Sequence, residues 1–107
     1  MTTQTMEQKQ TKTKNADNSI LIGSKPFMNY VTGVVVQFTT KQEKRVKIMA
    51  RGQFISKAVD VAEVSRRKFL AEQGISTGNV SIGSEEFENK EGKKVNVSTI
   101  EIELVKK

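Results

Sequence analysis

The chain has 107 residues and a formal net charge of +6 at pH 7, and it contains neither cysteine nor histidine. This length favours a single domain, and the missing residue types exclude disulfides, thiol chemistry and the commonest zinc ligand. No apolar run approaches the length of a membrane span, and no secretory signal is visible at the N-terminus. We therefore expect a cytoplasmic protein with no membrane contact, metal, cofactor or small-molecule substrate.

The basic excess is concentrated in one part of the chain. Residues 24–57 carry seven basic side chains against one acidic side chain, Glu43, whereas residues 58–105 have a net charge of −3. A local excess of this kind is typical of an anion-binding face, and a solvated surface explains it equally well.

The N-terminal residues differ in composition from the rest of the chain. Residues 1–18 are mainly Thr, Gln, Lys and Asn, so they bury too little apolar surface to offset the entropy of ordering. We predict a disordered tail over residues 1–18 and one folded domain over residues 19–107. The domain begins with a short buried strand, residues 19–22, which Gly23 ends.

A helix is predicted next, with Ser24 as its N-cap and Pro26 in its first turn. It extends to about Phe38 and carries one apolar stripe at helical spacing, formed by Phe27, Val31, Val34, Val35 and Phe38. A strand follows over residues 45–50, in which Val46 and Ile48 point inward and the alternate residues point to solvent. Residues 51–53 then form a tight turn into a second helix.

The second helix is predicted over roughly residues 53–72. It has two apolar stripes, one with Ile55, Ala58, Val59, Ala62 and Phe69 and the other with Val61 and Val64. A helix of this kind usually covers a sheet and contacts something else as well. Glu63 and Arg67 have the spacing and order of a helical ion pair.

The C-terminal third is predicted to be a hairpin whose turn lies at residues 89–92. The apolar positions of its last strand, residues 93–105, change parity after Val97, so that strand either bulges or leaves the core. We favour an arm that projects beyond the sheet. The order β-α-β-α-β-β then predicts a small α/β chain, an α+β two-layer sandwich with both helices on one face.

Two segments resemble signatures of the Alba family: IGSKPFMNYV at residues 22–31 and ARGQFISKAVD at residues 50–60. Phe69-Leu70 and VSTIEI at residues 97–102 match the rest, so the resemblance covers about residues 19–107. It implies an Alba-like fold in a dimeric, archaeal-type protein that binds duplex DNA and RNA without strong sequence preference. It also implies a role in chromatin or gene regulation, a location on the chromosome or nucleoid, and hairpin arms that reach toward the minor groove.

The strongest candidates for phosphate contacts are Lys25 and Arg51. Lys25 lies at a predicted helix start, where the helix dipole favours an anion; a solvated lysine is the alternative. The fork of Arg51 suits a phosphate bidentately, unless a carboxylate such as Glu63 occupies it. Lys57, one turn into the second helix, either faces the ligand or pairs with Asp60.

Other candidate contacts are weaker than the family pattern. Ser24 and Gln53 stand where relatives usually carry basic residues, although Gln53 has the groups to read a base edge, as glutamine does with adenine. Lys47, like its neighbour Arg45, lines the solvent face of the sheet. Lys93 and Lys94 lie in a hairpin that also holds four glutamates. We therefore expect weaker binding than in heavily basic relatives.

A homodimer is expected because the second helix is apolar on two sides and the core is small. The resemblance implies that Phe69 makes a dimer or dimer–dimer contact; a place in the core is the alternative.

Three other functions remain as alternatives. An enzyme is disfavoured because histidine and cysteine are missing and residues 23–26 do not form a Walker loop. An RNA-binding protein or ribonucleoprotein subunit acting in RNA metabolism would use the same phosphate-reading face. A pure protein–protein interaction module is the third alternative.

Overall fold

The computed structural model describes residues 18–107, and the predicted tail lies outside these residues except for Asn18. The Asn18 side-chain amide donates to the carbonyl oxygen of Arg45 at 3.1 Å. The described residues form four strands and two helices: β1 (Ser19–Leu21), α1 (Phe27–Thr39), β2 (Arg45–Arg51), α2 (Ile55–Val64), β3 (Ile75–Glu88) and β4 (Lys94–Lys106). The predicted β-α-β-α-β-β order is confirmed.

The four strands form one mixed sheet in the order β1-β2-β4-β3. β1 and β2 are parallel, since α1 carries the chain back between them. β4 lies antiparallel between β2 and β3, so the chain must cross from β2 to the far edge through α2 before the hairpin fills the gap. This is the two-layer α+β fold that the sequence predicts.

The core lies between the helices and one face of the sheet. Strand alternation places Val46, Ile48, Ile102 and Leu104 on that face, and all four are buried. Helix α1 contributes Val31, Val34 and Phe38, three members of the predicted stripe, while Phe27 and Val35 pack partly buried against them. Among residues 18–107, no helix covers the opposite face of the sheet, as expected for a two-layer sandwich.

The start of α1 differs from the prediction. The helix begins at Phe27, and Pro26 occupies the N-cap position in an extended conformation with ψ of 146° and no side-chain cap. Ser24 is therefore not the cap. The reason is that residues 23–25 are held in a separate loop by the Tyr30 hydroxyl, which accepts hydrogen bonds from two of their backbone N–H groups.

The second helical segment contains three kinds of helix in succession. A 3₁₀ turn at Gly52–Phe54 leads into α2, and a π-helical turn at Ser65–Phe69 ends the segment. It stops before the predicted Glu72 because Leu70 leaves the helix to enter the core. Two apolar residues, Val59 and Phe69, remain 41% and 51% exposed.

The hairpin projects beyond the sheet, as predicted. β2 stops pairing with β4 at Thr99, so residues 84–98 form a two-stranded arm. Gly92, with φ of 81°, supplies the left-handed residue of its turn. A bulge also occurs, but in β3 and not β4: Thr77 pairs with Leu104, whereas Val80 pairs with Ile102. β4 keeps its alternation, so Val95 and Val97 lie on the face without helices.

Candidate nucleic-acid interface

The first part of the candidate interface is the loop of residues 23–25. Tyr30 Oη accepts hydrogen bonds from the N–H groups of Gly23 at 2.9 Å and of Lys25 at 3.1 Å. The backbone N–H of Lys25 is therefore occupied, and Lys25 lies two residues before the helix begins. What Lys25 offers to an anion is its exposed ammonium group, which forms no ion pair with any of the residues 18–107.

The second part is the turn that follows β2. Gly52 has φ of 53°, a left-handed conformation that strains any other L-residue. A Cβ at Gly52 would also lie 3.5 Å from Cγ1 of Val97 at the base of the arm, so the turn packs closely against the arm. Arg51 and Gln53 flank this glycine with exposed side chains. The turn thus places one basic and one amide side chain beside the arm.

These two parts lie at the same end of the molecule. A recess of about 380 Å³ between them is lined by Leu21, Ile22, Gly23, Arg51, Gln53 and Phe54. Exposed Ser24 and Lys25 continue the same loop. The structure therefore brings together the four predicted site residues Ser24, Lys25, Arg51 and Gln53.

Lys57, on α2, contacts the first of the two parts, the loop of residues 23–25. Its Nζ donates to the carbonyl oxygens of Gly23 and Lys25, both at 2.7 Å, and lies 5.0 Å from the centre of the Tyr30 ring. The alternative pair with Asp60 is therefore absent from the described residues, whereas the phosphate contact predicted for Lys57 stays a prediction. Lys57 fixes the loop that carries Lys25, a role that spacing along the sequence did not indicate.

Arg51 has a carboxylate partner, but not the one suggested by the sequence. Its Nε lies 3.2 Å from Oε1 of Glu85 on the arm. Glu63 instead binds Arg66 and Arg67 at 2.8 and 2.9 Å, which confirms the predicted pair with Arg67. These hydrogen bonds, the one from Arg66 foremost, lower the pKa of the Glu63 carboxyl below its usual value of 4.5.

The rest of the basic segment lies elsewhere. Lys47 and Arg45 point to the helix-free face, as predicted, and pair with Glu101 at 3.8 Å and Glu103 at 3.1 Å. Arg45 and Arg51 are at opposite ends of β2, about 20 Å apart at the usual rise of a strand. The net charge of residues 24–57 is thus divided between two ends of the sheet.

The remaining predicted residues lie away from the recess. Lys93 and Lys94 are exposed at the far end of the arm, where Lys94 is the cross-strand neighbour of Glu88. Phe69 is half exposed on the last turn of the second helical segment, so it does not belong to the core. The predictions that these three residues bind nucleic acid or another subunit stay predictions.

Within residues 18–107, the structure contains no helix long and apolar enough to cross a membrane. The same residues hold no group of three acidic side chains arranged to bind a metal ion. The two parts of the candidate interface offer the exposed ammonium group of Lys25 and the hydroxyl of Ser24 on the loop, and the guanidinium group of Arg51 and the amide of Gln53 on the turn. The two cationic groups suit an anion.

Comparison with known proteins identifies relatives over most of the chain. The model of the Alba family matches residues 18–84. The DNA/RNA-binding protein Alba of Methanocella arvoryzae is 48% identical over 88 residues, covering 82% of this chain and 88% of the relative. That of Nanoarchaeum equitans is 52% identical over 89 residues, covering 82% and 97%. The structure of Alba from Thermoplasma volcanium has a TM-score of 0.75 and 43% identity, covering 83% of this chain and all of the other.

Proposed function

The chain belongs to the Alba family, a family of nucleic-acid-binding proteins and not of enzymes, and we propose that it binds double-stranded DNA through phosphate contacts as a homodimer. We place this activity on the chromosome, in chromatin organisation or gene regulation. The observation that carries the proposal is the placement of Lys25 and Arg51 at one end of the molecule, Lys25 on a loop that Lys57 binds to α2 and Arg51 at the start of the turn that leads into α2.

The two basic side chains supply complementary contacts to a nucleic-acid backbone. Lys25 contributes a mobile point charge from a fixed loop, while the planar fork of Arg51 matches two oxygens of one phosphate. Ser24 and Gln53 add exposed hydrogen-bonding groups on either side. Contacts of this kind fix position and orientation but carry no sequence information. We therefore propose weak sequence preference, with Gln53 as the one side chain suited to a base edge.

RNA is the second proposed ligand, because phosphate contacts do not by themselves distinguish the two polymers. The relatives from Methanocella arvoryzae and Nanoarchaeum equitans carry both nucleic acids in their names. A role in RNA metabolism as a ribonucleoprotein subunit is the alternative function. Crosslinking in cells, followed by sequencing of the bound nucleic acid, separates this alternative from the chromosomal role.

The dimer is proposed from an apolar surface on α2 and β3. Val59, Val80 and Ile82 are 41%, 54% and 82% exposed, and Val59 and Val80 border one recess of about 210 Å³. We call these three residues the α2–β3 patch. Exposed contiguous apolar surface of this kind marks an interaction site in a protein of this size. A two-fold axis through the patch pairs it with itself and gives the dimer two phosphate-binding ends.

A salt titration of duplex-DNA binding by fluorescence anisotropy tests the proposal. Two contacts from each subunit give about four per dimer, and counterion release then sets a slope of log affinity against log salt of about −3.5. Lys25→Ala and Arg51→Ala should each make the slope shallower by about 2 per dimer, since each removes one contact from both subunits. Lys41→Ala removes an exposed lysine from the loop before β2 and serves as the control.

Two results would contradict the proposal. An affinity for duplex DNA that does not depend on salt would exclude phosphate contacts. Equal effects of Lys25→Ala and Lys41→Ala would show that the positive charge acts diffusely and that the recess is not the binding site.

A further inference from the structure

The Arg51–Glu85 pair places an acidic side chain against the proposed phosphate-binding guanidinium. The two side chains are 59% and 53% exposed, and Nε of Arg51 lies 3.2 Å from Oε1 of Glu85. We infer that Glu85 limits the affinity of this protein for nucleic acid by competing with phosphate for Arg51. This inference rests on the proposed function, and it assigns to Glu85 an influence on binding that acts through Arg51.

The register of the sheet brings these residues together. Arg51 pairs with Thr99 across β2 and β4, and Glu85 pairs with Val97 across β3 and β4, two residues further along the same face. Gly52, next to Arg51, packs against Val97 itself. Backbone pairing therefore places the side chains of Arg51 and Glu85 on the same face of the sheet, at the base of the arm.

The bulge in β3 decides which face Glu85 occupies. One extra residue lies between Thr77 and Val80, opposite a two-residue step from Leu104 to Ile102. Without that residue the register would shift by one, and Glu85 would point to the helix side of the sheet. The bulge thus turns Glu85 toward Arg51 and its neighbour Glu86 away from it.

The chemistry of the pair acts on both sides of the binding equilibrium. In the free protein the carboxylate of Glu85 forms an ion pair with the guanidinium group with which a phosphate would otherwise pair. In the complex, a phosphate on Arg51 leaves Glu85 without its partner and places two negative charges close together. Because exposed ion pairs are individually weak, phosphate can displace the carboxylate, so Glu85 reduces affinity without abolishing it.

Glu86 provides a matched control. It lies on the same strand, is exposed, carries the same charge and points to the opposite face. It forms no ion pair with any residue that the structure describes. Glu85→Gln and Glu86→Gln therefore change the net charge of the protein equally, and only the first releases Arg51.

The experiment measures duplex-DNA binding by fluorescence anisotropy for these two variants, each with Arg51 present and with Arg51→Ala. We expect Glu85→Gln to tighten binding about threefold to tenfold beyond Glu86→Gln. The salt slope should stay about the same, since Arg51 already makes its phosphate contact in the unaltered chain. In the Arg51→Ala background the two variants should bind alike. In the free protein, the Arg51 Nε–H resonance should move in Glu85→Gln and stay in place in Glu86→Gln.

The outcomes separate the inference from the proposed function. Equal gains from Glu85→Gln and Glu86→Gln, or a gain that persists with Arg51→Ala, would overturn the inference while leaving phosphate contacts intact. If Arg51→Ala has no effect on binding, even together with Glu85→Gln, then Arg51 is not a phosphate contact and the proposed function fails at that residue.

Discussion

Tyr30 and Lys57 hold the same three-residue loop through opposite kinds of group. The hydroxyl oxygen of Tyr30 accepts hydrogen bonds from the N–H groups of Gly23 and Lys25, and the ammonium group of Lys57 donates to the carbonyl oxygens of the same two residues. The ammonium group also lies 5.0 Å from the centre of the Tyr30 ring, a distance at which a cation is attracted to an aromatic face. Four hydrogen bonds therefore fix the point from which the Lys25 side chain leaves the backbone.

The first prediction distinguishes positioning of this loop by Lys57 from direct binding of phosphate. Lys57→Met keeps the aliphatic stem and removes the charge, leaving two loop carbonyls without their donor. We expect the free energy of unfolding to fall by about 1 to 3 kcal/mol, and DNA affinity to fall because Lys25 is no longer held. The slope of log affinity against log salt should stay the same, since no phosphate contact is lost. Urea denaturation and anisotropy measure the two effects.

Tyr30→Phe is the matched comparison for Lys57→Met. It frees the same loop by removing two hydrogen bonds from the other side, and it changes no charge. The two variants should share a weaker affinity and an unchanged slope. A slope that becomes shallower by about 2 per dimer in Lys57→Met alone would assign Lys57 to the phosphate contacts instead.

The second prediction concerns Ser24, the uncharged neighbour of Lys25 in the loop of residues 23–25. Ser24 is exposed beside Lys25 in a loop whose geometry is already fixed. Ser24→Lys adds one charge to each subunit at this position, so affinity for duplex DNA should rise and the salt slope should steepen by up to about 2 per dimer. Thr40→Lys, at an exposed position beyond α1, adds the same charge away from the recess. Equal gains from both variants would show that only net charge matters.

The elements of the fold could be predicted because their signals are local. Alternation in residues 45–50 placed Val46 and Ile48 in the core, and helical spacing placed Val31, Val34 and Phe38 against them. The start of α1 could not be predicted in the same way. Ser24 has the chemistry of an N-cap, but Tyr30 and Lys57 hold the loop in another conformation.

The candidate site could be predicted only in part. A basic residue next to a glycine, in the turn after a strand, indicates Arg51 as a candidate contact. The segment of residues 22–31 indicates Lys25 in the same way. The partner of Arg51 depends on the register of β3 with β4, which the bulge between Thr77 and Val80 shifts by one residue. No periodicity in the sequence locates that bulge, so Glu63 was as reasonable a partner for Arg51 as Glu85.

The third prediction tests the proposed homodimer. Val59→Asp places a charge at the α2–β3 patch, where a subunit interface would have to bury it, so the variant should dissociate. Sedimentation velocity should find the unaltered chain at twice the 12.0 kDa of one chain and the variant at that mass. Leu21→Asp is the control, because Leu21 is 57% exposed on the helix-free face. A monomeric unaltered chain at micromolar concentration, or equal dissociation in both variants, would contradict the proposed interface.

The last prediction concerns stability in acid and depends on Glu63. Its hydrogen bonds to Arg66 and Arg67 lower its pKa below 4.5, the usual value. Because the folded state has the lower pKa, the ionised group stabilises the fold above pH 4.5, and this stabilisation is lost as the pH falls through the folded-state value. Since the pair is partly exposed, solvent screening limits the contribution at neutral pH to about 1 kcal/mol.

Glu63→Gln should therefore be less stable than the unaltered chain at pH 7, and the difference should shrink as the pH falls below 4.5. Urea denaturation between pH 3 and pH 7 measures it, with both curves fitted for the free energy of unfolding. Glu72→Gln is the control, since Glu72 is exposed and forms no ion pair with a described residue. If the stability difference caused by Glu63→Gln stays constant across this pH range, the arginine pair does not act through the charge of Glu63, and its contribution is one of packing alone.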